Sequence, residues 1–148
     1  MLIRRLAVIV TALLLGVAPV HADVRILSSP GGEARAFLEF FSVLNGSGQR
    51  VVIDGPCLSA CTLVLTTIPN DRICVTPRAV LGFHAARLMD EKGRIYAAPE
   101  ATRAVAAAYP PPVRDWIARH GGLTAKPIYL RGRELAALYP RCSGDAKR

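Results

Sequence analysis

Ser59 and His84 are the residues of this chain whose types and positions could support nucleophilic catalysis. Ser59 follows a Gly-Pro turn and a cysteine and opens an apolar helical stretch, where the positive end of the helix dipole stabilises developing negative charge. A serine there suits an acyl-enzyme nucleophile, and an ordinary N-cap serine is the alternative. His84 lies at the end of a predicted apolar strand, residues 80–84. Because neighbouring parallel strands end at the same edge of a sheet, His84 is well placed to reach the end of another strand. Ser59 is therefore a candidate nucleophile and His84 a candidate base, with a structural histidine as the alternative for His84.

Another histidine and a glycine-rich turn bear on the same site. His120 precedes a glycine pair at a predicted helix C-terminus, where a histidine usually interacts only with the helix dipole, so His84 is the better candidate base. Residues 29–32 are Ser-Pro-Gly-Gly and lie between the first predicted strand and the first predicted helix. Glycines in such a turn allow backbone N–H groups to point toward a ligand, and a plain tight turn is the alternative.

The chain has four cysteines, at positions Cys57, Cys61, Cys74 and Cys142. An even number in an exported protein indicates two disulfides, for which three pairings exist. We favour Cys57–Cys61, because these residues can meet across a turn, and Cys74–Cys142, which would tie the C-terminal end to the core. A redox pair or a metal site is the alternative. The Cys57-x-x-x-Cys61 spacing differs from the redox spacing Cys-x-x-Cys and has no histidine beside it.

Hydrophobic patterning predicts alternating strands and helices between these residues. Gly55-Pro56 should turn the chain before Ser59, and residues 90–94 form a charged turn at an exposed tip. The alternation is typical of an α/β fold built from parallel strand-helix units. The predicted strands are residues 24–28, 50–54, 72–75, 80–84 and 128–130, and the predicted helices are residues 33–45, 59–68, 99–109, 113–120 and 132–138.

Composition limits the class of protein. With 51% hydrophobic and 20% charged residues, the 148-residue chain is neither a disordered tail protein nor a large multidomain enzyme. Its net charge of +8 is scattered and is not interleaved with aromatic residues, so we expect no nucleic-acid partner. We also expect no metal and no other cofactor.

The first 22 residues have the pattern of a secretory signal peptide. Arg4 and Arg5 precede 15 uncharged residues, and small residues at the end favour cleavage after Ala22. An N-terminal membrane anchor is the alternative, although a membrane span needs about 20 apolar residues. We expect residues 1–22 to be a signal peptide, residues 23–142 one α/β domain and residues 143–148 a frayed tail. The mature protein would then be periplasmic or secreted.

Residues 28–87, roughly half of the mature chain, contain four segments that resemble a known enzyme family. Taken together, they resemble the Clp protease proteolytic subunit and its relatives in the ClpP/crotonase superfamily. The resemblance is closer still to exported bacterial ClpP-like proteins that carry a Cys-x-Ser-Ala-Cys turn. The segments are SSPGG at residues 28–32, GPCLSAC at residues 55–61, RICVTP at residues 72–77 and GFH at residues 82–84.

The resemblance implies a ClpP/crotonase-like parallel ββα spiral, here as a truncated single domain. Ser59 would be the nucleophile and His84 the general base, and the backbone N–H groups of Gly32 and Ala60 would form the oxyanion hole. It implies an exported serine hydrolase that acts on a peptide or protein substrate without ATP. The family's earlier strand, helix and unfoldase-docking loops would be missing, so no unfoldase partner is expected. Assembly into a homo-oligomer is compatible with the resemblance.

The chain also departs from the family's pattern. The family's third catalytic residue, an aspartate, should lie in the segment that here is Thr-Ala-Lys-Pro-Ile-Tyr at residues 124–129. Asp115 and Glu134 are the nearest acidic residues. Either a Ser-His pair works alone, or another group orients His84, or the site is inactive. The cysteines beside Ser59 could stiffen or crowd its turn. A catalytically inactive binding or assembly module of the same fold is one alternative function, and crotonase-type acyl transfer is another.

Overall fold

A computed structural model describes residues 22–143, and all structural statements below concern this part of the chain. Residues 1–21 of the predicted signal peptide and residues 144–148 of the predicted tail lie outside it. The described residues form small sheets and five α-helices, which confirms the predicted α/β class.

The first sheet is wholly parallel and has the strand order β1-β2-β4. Its strands are β1 (Val24–Ile26), β2 (Val51–Ile53) and β4 (Ile73–Val75). All residues of β2 and β4 are buried, as expected for a parallel sheet that is covered on both faces. The Val- and Ile-rich composition of these strands therefore explains why they could be recognised in the sequence.

The second sheet contains the strands that precede Ser59 and His84. It consists of β3 (Pro56–Leu58), β5 (Val80–Phe83) and β8 (Ile128–Arg131), with β5 in the centre. Strands β3 and β5 are parallel, and β8 runs antiparallel to β5. The loop after β1 joins the two sheets, since Ser29 N–H donates to the Pro56 carbonyl (2.7 Å) and Leu58 N–H donates to the Ser29 carbonyl (2.9 Å).

The described residues form five α-helices: α1 (Ala34–Ser47), α2 (Val64–Thr67), α3 (Pro99–Ala108), α4 (Pro111–Arg119) and α5 (Gly132–Leu138). A 3₁₀ helix over Ser59–Leu63 leads directly into α2. Prolines open α3 and α4, where a missing N–H costs no hydrogen bond. Phe41 and Leu44 bury one face of α1 against the core, and Gly48 ends this helix in the left-handed conformation.

A hairpin of β6 (Arg87–Met89) and β7 (Ile95–Ala97) extends from the domain, and every residue of both strands is exposed. Its tip is the predicted charged turn at residues 90–94. The Asp90 carboxylate accepts the N–H groups of Lys92 and Arg94 and pairs with the Arg94 guanidinium at 2.7 Å. These bonds to the ionised carboxylate hold the pKa of Asp90 below its usual value.

Two disulfides join the cysteines, Cys57 to Cys61 and Cys74 to Cys142, which is the pairing that we favoured. The second bond holds the C-terminal segment against β4, where Cys142 N–H also donates to the Val75 carbonyl. Two disulfides indicate an oxidising compartment. Within residues 22–143, no helix has the length and apolar character needed to cross a bilayer.

Three local predictions are corrected by the structure. Residues 55–56 were expected only to turn the chain, but Pro56 already begins β3, which sequence patterning missed because the strand has three residues and starts with proline. The predicted helix at residues 59–68 is a 3₁₀ helix followed by four α-helical residues. Helix α1 also continues through Gly46 to Ser47 instead of stopping at Asn45.

Candidate active site

Ser59 has a strained backbone and an unengaged hydroxyl. It is the one non-glycine residue with positive φ (55°) in the described part of the chain. Its hydroxyl makes no hydrogen bond within residues 22–143. An N-cap serine has extended dihedrals and accepts a backbone N–H through its side chain. Ser59 therefore does not have the geometry of an ordinary N-cap, and backbone strain of this kind is common at functional sites.

The glycine-rich loop packs directly on the Ser59 turn. Gly31 has φ +88°, and a Cβ atom built on it would lie 2.6 Å from the Leu58 carbonyl oxygen and 2.6 Å from the Ser59 Cβ. No side chain fits at this distance, so glycine is required both by its dihedral angle and by the contact. The two segments that the sequence analysis assigned to one site are thus neighbours.

The backbone donors assigned to the oxyanion hole lie in these two segments. The Cβ position of Gly31 would be 3.0 Å from the Ala60 nitrogen, and Gly32 is the next residue in the loop. Gly32 N–H donates no hydrogen bond to any residue in the range 22–143. Ala60 is the second residue of the 3₁₀ helix, and N–H groups at a helix start lack intrahelical acceptors.

His84 immediately follows β5, and Ser59 immediately follows β3. These strands are adjacent and parallel, with Leu58 paired to Gly82. Both residues therefore leave the same edge of the sheet, where neighbouring strands are about 4.8 Å apart. No hydrogen bond connects Ser59 and His84 in the described structure. Both side chains are partly exposed.

A backbone carbonyl orients the His84 ring. His84 Nδ1 lies 2.7 Å from the Ala85 carbonyl oxygen, which can only accept a hydrogen bond, so this contact favours the neutral tautomer in which Nδ1 carries the proton and Nε2 is the acceptor. Ala85 N–H donates to the Thr124 carbonyl at 2.8 Å. The segment in which the family's aspartate was sought is therefore beside His84, but within residues 22–143 no carboxylate pairs with this histidine.

The two acidic residues considered as third members lie on other elements. Asp115 is exposed on α4, and Glu134, on α5, lies 3.8 Å from His120 Nε2. The His120 ring stacks on Trp116 at 4.0 Å, and His120 Nδ1 is 2.8 Å from the Trp116 carbonyl. His120 thus interacts with the end of α4, as its position after that helix predicted.

A buried carboxylate anchors the turn that leads into β3. Asp54 follows β2 and is 4% exposed. The Thr76 hydroxyl donates to it at 2.7 Å, and the guanidinium groups of Arg78 (2.6 Å) and Arg25 (2.7 Å) pair with it. The Thr76 and Arg78 hydrogen bonds hold the pKa of Asp54 well below its usual range.

Two residues that no sequence motif indicated, Thr62 and Tyr109, support the Ser59 turn. The Thr62 hydroxyl donates to the Ser59 carbonyl at 2.7 Å, and the Tyr109 hydroxyl lies 2.6 Å from Thr62 Oγ1. Thr62 is three residues after Ser59, a spacing at which a threonine often bonds back to a carbonyl. Tyr109 is 47 residues away in the chain, and no spacing rule indicates such a contact.

An open apolar groove of about 370 Å³ lies between β1 and α1 and borders Cys61, two residues after Ser59. Its lining includes Leu27, Ser29, Phe37, Phe40 and Cys61. Among the described residues, no group of His, Cys, Asp or Glu side chains is arranged to hold a metal ion. No protein-family model matches this chain, and no curated protein matches it significantly.

Proposed function

We propose that this protein is a serine hydrolase of ClpP-like type that cleaves peptides without ATP. His84 Nε2 takes the proton of the Ser59 hydroxyl while Oγ attacks the substrate carbonyl carbon. Gly32 and Ala60 N–H groups stabilise the resulting oxyanion. Collapse breaks the amide bond, and the leaving amine takes the proton from His84. Water then hydrolyses the acyl group on Ser59 by the same steps.

The observation that carries this proposal is the pairing of β3 with β5, which brings the ends of the Ser59 and His84 strands together. The close contact of Gly31 with Ser59 supports the assignment of the oxyanion loop. The strained Ser59 turn supports the assignment of the nucleophile. The parallel strands β1, β2 and β4, with a second sheet beside them, are compatible with a ClpP/crotonase-like spiral.

The Ala85 carbonyl takes over part of an aspartate's role in this proposal. It selects the tautomer that leaves Nε2 free to act as a base. As a neutral group, it stabilises the imidazolium less than a carboxylate would. Loss of the orienting aspartate from a complete triad costs about 10⁴ in turnover. We therefore expect an enzyme slower than one with a Ser-His-Asp triad, but faster than one whose histidine is in the wrong tautomer.

We also propose that the protein is exported and works in the periplasm or outside the cell. The apolar leader before Ala22 and the two disulfides support this compartment. The N-terminus of the mature protein tests it directly. A chain purified from the periplasm or the culture medium should begin at Asp23, whereas recovery of the whole leader in a membrane fraction would indicate an anchor.

Active-site labelling tests the enzymatic proposal. A fluorophosphonate probe should phosphonylate the wild-type protein with loss of fluoride, and peptide mapping should place the adduct on Ser59. Ser59→Ala should abolish the labelling. Ser42→Ala is the matched control, because Ser42 is exposed on α1, outside both segments of the proposed site, and its removal should leave the labelling of Ser59 intact. Absence of an adduct on the wild type, or an adduct that survives Ser59→Ala, would contradict the proposal.

A binding module of the same fold is the second candidate. It is favoured by the absence of a Ser59–His84 hydrogen bond and of a carboxylate partner for His84 within residues 22–143. This candidate predicts that the apolar groove binds peptides equally well in wild type and in Ser59→Ala, with no product formed. Release of cleaved peptide by the wild type alone would exclude it.

A further inference from the structure

We infer that Thr62 and Tyr109 are positioning residues that hold the Ser59–Ala60 peptide in the orientation needed for the oxyanion hole. This inference rests on the proposed function, because it assigns a purpose to the Ala60 N–H group. The contacts that carry it are the two short hydrogen bonds that connect Tyr109 to Thr62 and Thr62 to the Ser59 carbonyl.

The direction of each hydrogen bond follows from proton counting. The Ser59 carbonyl can only accept, so the single hydroxyl proton of Thr62 points to it. The Tyr109 hydroxyl must then donate to Thr62 Oγ1. Burial raises the pKa of Tyr109 to about 12, despite the opposing effect of its bond with Thr62. Tyr109 therefore remains a proton donor throughout the pH range in which a hydrolase would work.

Fixing the Ser59 carbonyl also fixes the Ala60 N–H. Both groups belong to one planar peptide unit, which is trans because residues 22–143 contain no cis bond. In a trans unit the carbonyl and the N–H point in opposite directions. The hydrogen bond to Thr62 holds the carbonyl toward the interior, so the N–H is directed away from it. If this peptide rotated, the Ala60 N–H would lose the direction that the proposed oxyanion hole requires.

Both positioning side chains are fixed by burial. Thr62 is 1% exposed and Tyr109 is 4% exposed. The Tyr109 ring packs edge-on against Phe83, with 5.3 Å between ring centroids. Phe83 directly precedes His84, so Tyr109 contacts both the turn that carries the nucleophile and the strand that carries the base. A local hydrogen bond within one turn would not provide this connection.

The chain contains a matched control for Tyr109. Tyr139 is also buried, at 2% exposed, but its hydroxyl has no hydrogen-bond partner among the described residues. Tyr109→Phe and Tyr139→Phe each remove one buried hydroxyl and keep the ring. The first breaks the chain to Thr62, whereas the second removes an unsatisfied group, which should not reduce stability.

Steady-state hydrolysis of an activated ester separates positioning from general destabilisation. We expect Thr62→Val to lower kcat about tenfold and Tyr109→Phe about threefold, with KM changed less than about twofold, since one hydrogen bond is lost in each. Thr62→Ser should restore kcat, because it keeps the hydroxyl, and Tyr139→Phe should leave kcat unchanged. Equal kcat for Thr62→Val and wild type, or equal losses in the two tyrosine variants, would overturn the inference.

A crystal structure of Thr62→Val gives a readout that does not depend on activity. The inference predicts that the Ser59–Ala60 peptide rotates or takes two orientations in this variant. A single orientation identical to the wild type would overturn it. If the wild type fails to hydrolyse any ester, the proposed function fails, while the peptide orientation still decides the positioning role. Tyr109→Phe serves the same comparison if Thr62→Val does not fold.

Discussion

Removing the two disulfides one at a time should separate the stability of the fold from the reactivity of Ser59. The bonds close loops of very different length, with sequence separations of 4 for Cys57–Cys61 and 68 for Cys74–Cys142. The chain-entropy relation gives about 1.9 kcal/mol for the short loop and about 4.4 kcal/mol for the long one at 25 °C. Alanine is the right replacement, because Cys57 and Cys61 are buried and a serine hydroxyl there would lack a partner.

The reactivity of Ser59 should depend more on the Cys57–Cys61 bond than on the Cys74–Cys142 bond, which is the reverse of the order expected for stability. The short loop contains Ser59, whose left-handed backbone costs about 1–2 kcal/mol relative to a relaxed conformation. Without the Cys57–Cys61 bond, release of this strain would lower the population of the reactive conformation about 5- to 30-fold. The Cys74–Cys142 bond holds β4 in the other sheet, so its removal should leave the Ser59 turn intact.

Two assays on the same protein samples measure the two effects. Urea unfolding gives the free energy of unfolding, and the second-order rate constant of fluorophosphonate labelling gives the reactivity of Ser59. We expect the variant without Cys74–Cys142 to lose more stability, and the variant without Cys57–Cys61 to lose more reactivity. Unchanged labelling after loss of the short loop would refute the reasoning. Equal slowing by both variants, while both remain folded, would refute it as well.

The other predictions concern the loop and the buried carboxylate. Gly31→Ala should destabilise the protein by about 1–3 kcal/mol more than Gly121→Ala and slow labelling of Ser59. The two glycines share a φ near +90°, but only at Gly31 would a Cβ meet the nucleophile turn. Equal urea midpoints and labelling rates would contradict the steric explanation. Asp54→Asn should lower the free energy of unfolding by about 2 kcal/mol at pH 7. Because the pKa of Asp54 is lowered in the folded state, its stabilisation should be present above about pH 4 and decline as the pH falls below it. Urea unfolding at pH 7 and pH 3 checks this, and a difference between wild type and Asp54→Asn that does not change with pH would contradict it.

Sequence patterning predicted those parts of the fold that local composition determines. Strand β2 is a run of buried β-branched residues, β4 has two buried β-branched residues, one on either side of Cys74, and α5 spans the predicted residues 132–138. The hairpin tip was predicted from its charged turn, but its strands were not, because their exposed side chains follow no burial pattern. Strand β3 was missed because three residues beginning with Pro56 carry no periodicity, and its pairing with β5 is a long-range contact.

The candidate site also has parts that the sequence indicated and parts that it did not. Residue type and position singled out Ser59, His84 and the glycine loop, since few residues of the chain could serve as nucleophile or base. The partner of His84 could not be predicted, because it is the Ala85 carbonyl and every residue carries a carbonyl. The Tyr109 contact depends on how α3 ends against the 3₁₀ helix, which is decided by packing and not by spacing.

The most direct test of the central claim is the mass of the protein during turnover of an activated ester. If Ser59 is the nucleophile and His84 its base, rapid quenching should reveal one acyl group per chain, and peptide mapping should place it on Ser59. His84→Gln should accumulate this species far more slowly. An acyl group on any other residue, or equal acylation of wild type and His84→Gln, would contradict the account.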